Sequence, residues 1–215
     1  MPIAITSIQN KQQLEVAVSG PAPAARMFIV SGTGDVSLFA SAPPGAPANA
    51  KETYDDDQTR AFYRQLLDDL RATPGVASAG FISQLPLAAF GFNGPFFLEG
   101  GAQWPRGQTP IVEYRVASPG YFEALGIPIV RGRTLSESDV ETSTPSVWIN
   151  DAMARRYWPD ADPVGRRISL GMDRQSVWRE IAGIVGDVRS RRLNDVATPE
   201  VYVAHARYLP AASPV

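Results

Sequence analysis

Residues 55–82 are DDDQTRAFYRQLLDDLRATPGVASAGFI, the first segment with a clear structural period. Phe62, Leu66 and Leu70 recur at four-residue spacing with Tyr63 and Leu67 beside them, which makes one apolar face of a helix. Arg64, Asp68, Asp69 and Arg71 are directed elsewhere. Asp55, Asp56 and Asp57 fall where a helix N-terminus is electropositive, and Asp57 is the expected cap. Thr73-Pro74-Gly75 stops the helix, and Val76–Gln84 then reads as a strand. The unit is helix, turn, strand.

Working outward, the N-terminal side offers short strands at Leu14–Val18, Met27–Val30 and Val36–Ala40, then a Pro/Ala/Gly stretch at Ala42–Ala50 that reads as a linker. On the C-terminal side, Phe96–Glu99 and Ile111–Ala117 read as strands. Pro119–Leu125 is predicted to be a short helix, with Ser118 as its cap, Pro119 as its first residue and Gly126 as its end. Ile127–Arg131 is expected to be extended and Ser146–Ile149 to be a buried strand. Asp151–Trp158 is read as a helix begun by Asn150 or Asp151. Arg167–Leu170, Trp178–Val188 and Val201–Val203 complete the strands.

The chain has 215 residues, a net charge of −2 and 44% hydrophobic residues, an ordinary globular balance. That charge argues against a dedicated nucleic-acid binder, which needs a basic surface. Only Lys11 and Lys51 are lysine, so 18 of the 20 basic residues are arginine (20 − 2). There is no cysteine, which removes disulfides, thiolate nucleophiles and Cys-based zinc sites together. No apolar run approaches the roughly 18 residues that cross a bilayer.

Catalytic motifs are weak throughout. A Ser/His hydrolase would have to use His205, the single histidine, and Ser78 has Val76 where a nucleophile elbow needs glycine. Asp55–Asp57 lacks the alternation of a calcium loop. Gly32-Thr33-Gly34 lacks the third glycine and the lysine of phosphate loops, and Gly183 and Gly186 read as strand or bulge glycines. No catalytic, cofactor-binding or metal-ligating residue is assigned, although 22 acidic residues leave a carboxylate pair open. Arg155-Arg156, Arg166-Arg167 and Arg189, Arg191 and Arg192 read as solvated element ends or interface contacts, with a patch that binds phosphate or anionic lipid as the alternative. Phe90, Phe92, Phe96, Phe97 and Trp104 crowd a Gly/Pro-rich segment. They either cover a small core or form a partner or substrate surface.

Several phrases in order resemble one family. They are TRAFYRQLL (59–67) with LRATPGV (70–76), LPL (85–87), RVASPGYFEALGIP (115–128) running on to RGR (131–133), INDAMARRYWP (149–159) with DPVGRRI (162–168), and IVGDVR (184–189) with PEVYV (199–203). Together they are similar to the MacB-like periplasmic core domain of MacB/FtsX-type ABC transporter permeases, over about Asp55–Val203. The resemblance implies an α+β fold: a porter-like α/β lobe, with helices on a mixed sheet, carrying an inserted β-rich sub-lobe. It divides the chain into a poorly matched segment 1–50 and a C-terminally truncated core domain 51–215, porter-like over 51–85 and 176–205 and inserted over 86–175. It implies a non-enzymatic domain outside the bacterial inner membrane, without cofactor or nucleic-acid partner. Its expected partners are a cytoplasmic ABC ATPase, a periplasmic adaptor and a second permease copy, with the membrane reached through segments outside this chain. Such a domain would couple ATP-driven helix motion to export. The alternatives are a stand-alone binding protein that reuses the fold and an enzyme with a carboxylate site.

Overall fold

The computed structural model of the chain describes residues 3–9, 13–18, 27–32, 36–40, 56–73, 76–83, 86, 92–100, 109–141, 145–171, 177–190 and 194–204, with side chains described from Arg64 onward, Phe92 excepted. Strands β1 (Ile3–Gln9) and β2 (Gln13–Val18) pair with each other as a separate antiparallel hairpin. Strands β3 (Met27–Gly32) and β4 (Val36–Ala40) are also antiparallel, and β3 runs beside β5 (Val76–Ile82). The sheet therefore crosses the division expected near residue 51.

Helix α1 spans Asp56–Arg71. Its apolar face falls where the four-residue spacing puts it: Leu66, Leu67 and Leu70 are buried, whereas Arg64, Gln65 and Asp68 are exposed. Asp57 lies within the first turn and not before it. At the other end the Ala72 amide donates to the Asp68 carbonyl at 2.9 Å and the Thr73 hydroxyl to the Asp69 carbonyl at 2.9 Å, so two terminal acceptors find donors before the chain turns into β5.

The remaining strands are β6 (Phe92–Leu98), β7 (Ile111–Ala117), β8 (Ile129–Gly132), β9 (Ser146–Asn150), β10 (Arg167–Leu170), β11 (Trp178–Val185) and β12 (Glu200–Ala204). Between them lie α2 (Tyr121–Ala124), α3 (Glu137–Glu141) and α4 (Asp151–Tyr157). The pairings close a ring: β6 pairs β7, β7 pairs β12, β12 pairs β9, β9 pairs β11, β11 pairs β10, and β10 returns to β6. Two contacts in the ring, β7–β12 and β9–β11, are parallel and the others antiparallel, so the sheet is mixed and the fold is α+β. The ring draws β6, β7, β9 and β10 from before residue 175 and β11 and β12 from after it. Strand β8 adds to β11 beyond the stretch that β10 occupies.

Alternation along these strands sorts the core into two layers. Val112, Tyr114, Val116, Val147, Ile149, Ile168, Leu170, Val201 and Val203 form one cluster, which Met153, Ala154 and Trp158 of the α4 region join. Their neighbours of opposite parity, Ala117, Trp148 and Tyr202, turn to the other face and pack with Ile82, Leu135 and the α2 residues Tyr121 and Phe122. Rings of Tyr121, Phe122 and Tyr202 lie 5.2–6.1 Å apart by centroid, the edge-on and tilted geometry that aromatic quadrupoles favour.

Two expectations about helix starts come out differently. Helix α4 is capped as read: the Asn150 side chain accepts from the Met153 amide at 3.1 Å. Helix α2 is not capped by Ser118 and does not begin at Pro119. It begins at Tyr121, after Gly120 at φ 86°, and no side chain caps it. The Ser118 hydroxyl accepts instead from the Phe81 amide of β5 at 2.8 Å.

Candidate functional site

The five aromatic residues singled out in the sequence do not act as one group among the described residues. Phe90 and Trp104 lie outside those residues, and the Phe92 side chain is not described. Strand alternation separates the other two. Phe96 is fully buried, edge-on to Tyr157 with centroids 4.8 Å apart, and so belongs to the core and not to a contact surface. Phe97 points outward and is 43% exposed. Pro95 and Ile111 are directly opposed across β6 and β7, and Ile111 is 55% exposed, so Phe97 has apolar company on the outer face. Arg167 Nε donates to Glu99 Oε2 at 2.7 Å and flanks it with charge. Beneath, the Tyr114 hydroxyl donates to the Pro95 carbonyl and accepts from the Gly171 amide at 3.1 Å, pinning the middle of β6 to the chain leaving β10.

A buried polar group lies along the parallel seam of β7 and β12. Arg115 and Glu200 form an ion pair at 3.2 Å with side chains only 3% and 1% exposed. The Tyr202 hydroxyl donates to Glu200 Oε2 at 2.6 Å. Asn150 adds a second tie: its oxygen accepts from the Glu200 amide at 2.9 Å and its Nδ2 donates to the Thr198 carbonyl at 2.8 Å. Burial, then the nearby Glu200 charge, push both Tyr121 and Tyr202 well above the ordinary tyrosine range. Both phenols therefore stay protonated near neutrality, and Glu200 is committed to Arg115 and Tyr202. This chemistry braces a seam.

A third arrangement joins α1 and β5 to the ring. The ladder between β5 and β7 has one paired position, Ile82 with Ala117. Side chains and turns supply further ties. The Ser118 amide donates to the Phe81 carbonyl at 3.0 Å, and Ser83 and Val116 exchange bonds of 2.7 and 3.0 Å. Arg71, the last residue of α1, donates through Nη2 to the Pro119 carbonyl at 2.8 Å and the Ala79 carbonyl at 3.4 Å, and through Nη1 to Glu137 Oε1 at 2.9 Å. Gly80 and Gly120 let the backbones meet. A β-carbon on Gly80 would fall on the Tyr121 backbone nitrogen, and one on Gly120 would strike the Ala79 carbonyl.

Of the arginines expected at element ends, Arg155 and Arg167 pair with acids, whereas Arg166 Nε donates to the Asp162 carbonyl at 3.0 Å and Arg156 lies over the Tyr157 ring. Arg155 bonds Asp151 and reaches Asp187 at 2.7 Å, while the other oxygen of Asp187 accepts from the Ala152 amide at the start of α4. Arg133 grips Asp139 with two bonds of 2.6 Å. Arg191 and Arg192 lie outside the described residues, as does His205. Among the described residues no group of three or more His, Cys, Asp or Glu could hold a metal ion, and no helix is long and apolar enough to cross a membrane.

Three solved structures are similar to parts of this chain. The extracellular domain of the noncanonic ABC-type transporter YknZ from Gram-positive bacteria is 14% identical, with a TM-score of 0.43 over 66% of this chain and 62% of that one. The periplasmic region of MacB from Actinobacillus actinomycetemcomitans is 14% identical, with a TM-score of 0.45 over 91% and 72%. A domain of a putative permease protein from Porphyromonas gingivalis is 16% identical, with a TM-score of 0.41 over 61% and 52%. The chain thus spans less than two thirds of the YknZ domain. No curated protein matches. The sequence itself matches the family of MacB-like periplasmic core domains over residues 6–213, a span that takes in the N-terminal strands as well as the phrases beyond residue 55. The chain belongs to this family of MacB-like periplasmic core domains.

Proposed function

We propose that this chain is the extracytoplasmic domain of an ABC transporter permease and that it couples ATP-driven motion of membrane helices to export or to a periplasmic partner. The family match over residues 6–213 carries the reading. The chain would contribute no chemistry; hydrolysis belongs to a cytoplasmic ATPase subunit or domain, and the permease would act as a pair of copies. The braced seam at Arg115 and Glu200 suits a part that must pass on displacement without deforming. Phe97, with Pro95 and Ile111, is the described part of the outer face best suited to a periplasmic adaptor or an apolar substrate.

The absence of cysteine from these 215 residues makes location testable once any cysteine elsewhere in the gene product is replaced. With Asp160→Cys in the product of the native gene, a membrane-impermeant maleimide should label spheroplasts without lysis. Labelling that appears only after lysis would sink the reading.

A further inference from the structure

We infer that Arg71 is the pin of a rigid joint that locks the α1–β5 unit to the six-stranded ring, so that the two turn as one body. The main-chain ladder between them is minimal, a single paired position. A β-sheet contact that short does not by itself fix an angle between two units. The angle is set by what surrounds it. Ser118 is wholly buried and holds both the amide and the carbonyl of Phe81. Ser78 adds a bond from its hydroxyl to the Gly120 carbonyl at 3.2 Å.

Arg71 spans the joint. Its planar guanidinium touches three places outside its own helix: β5 through Ala79, the 118–120 turn through Pro119, and α3 through Glu137. Rigid, divergent N–H donors allow one side chain to fix three elements at once, which a lysine ammonium on a flexible stem cannot reproduce. The two carbonyl bonds are partly sheltered, while the Glu137 arm is exposed and contributes little. Close backbone approach at Gly80 and Gly120 leaves no slack for the turn to slide along β5.

This deepens the coupling reading, on which its functional meaning rests: displacement delivered to α1 would reach the ring without loss. The test uses the chain alone and can fail without touching the assignment to a permease. Two cysteines introduced at the exposed positions Gln65 on α1 and Asp160 after α4 carry nitroxide labels, with no native thiol to interfere. Pulsed dipolar spectroscopy then reads the distribution of distances between the units. The parent should give one narrow distribution. Arg71→Met, which keeps the apolar stem, should broaden it and shift its mean, and Glu137→Gln should leave it unchanged. If Arg71→Met loses its circular-dichroism signal, Arg71→Lys, which keeps the charge but not the planar fork of donors, should give an intermediate width. A broad parent distribution, or Arg71 variants with the parent's width, would overturn the joint.

Discussion

Phe96 and Phe97 are adjacent and chemically identical, yet the pleat of β6 gives them opposite fates. Phe96→Ala should cost about 3–5 kcal/mol, the usual range for emptying a buried phenylalanine site. Phe97→Ala should change stability by less than about 0.5 kcal/mol, as exposed positions do, while weakening any partner contact on that face. Urea unfolding of the two variants separates them; equal losses would contradict the alternation. At the seam, Glu200→Gln should destabilise by about 1–3 kcal/mol, because it takes a charged acceptor from the buried bonds of Arg115 and Tyr202. Replacing Arg115 and Glu200 together by apolar residues of similar volume should cost clearly less than the sum of the single changes, which a double-mutant cycle would show. Asp139 gives a pH signature. Burial alone would raise its pKa, but hydrogen bonds from Arg133 and Ser136 override that and hold it below the ordinary carboxylate value. A group depressed in the folded state stabilises above its unfolded pKa and loses that contribution as pH falls through the folded value. The acid limb of the stability curve should therefore flatten in Asp139→Asn, while an unchanged acid limb would show that Asp139 is not its source.

At the scale of elements, legibility followed periodicity. Helix α1 and strands β4, β7 and β10 could be read because each carries a clean apolar spacing or is bounded by turn residues. Asn150 was legible as a cap because its signal is local. Ser118 was misread because the same residue type, placed before a proline, serves equally well as a cap and as a cross-link to a strand 37 positions away. Helix α3, with no buried residue, has no apolar period to find. The aromatic segment showed composition without parity: its Gly/Pro content hid the alternation that sends Phe96 inward. Nothing in the sequence marked Arg71 as more than a solvated helix-end cation, since its two sheltered acceptors are backbone carbonyls, which have no side-chain signature. Gly120 tests the element-level account. Gly120→Ala should destabilise by about 1–3 kcal/mol, from a positive φ and a blocked approach to Ala79. Gly126→Ala also has a positive φ, 65°, but open space around it, so it should cost less.

For the molecule as a whole, the phrases that resemble the family lie in elements of both core layers, and their order conveyed the fold class that the pairing confirms as α+β. Their order did not convey closure. Ring pairing depends on contacts between segments far apart in sequence, such as Tyr202 of β12 beside Arg115 of β7, and no local pattern encodes which strand is neighbour to which. The closure also has an effect on biogenesis. Strand β12 is the last in chain order among the described strands, yet it fills the gap between β7 and β9. Until it arrives, both of those strands present bare main-chain donors and acceptors, the kind of edge on which chains stick to one another. A polypeptide emerging N-terminus first would therefore remain vulnerable until residues 200–204 had emerged, however early α1 and β5 came together. Pulse-chase with arrested nascent chains should show protease resistance appearing abruptly once those five residues are free, with Glu200 and its counter-ion completing the seam as the final event.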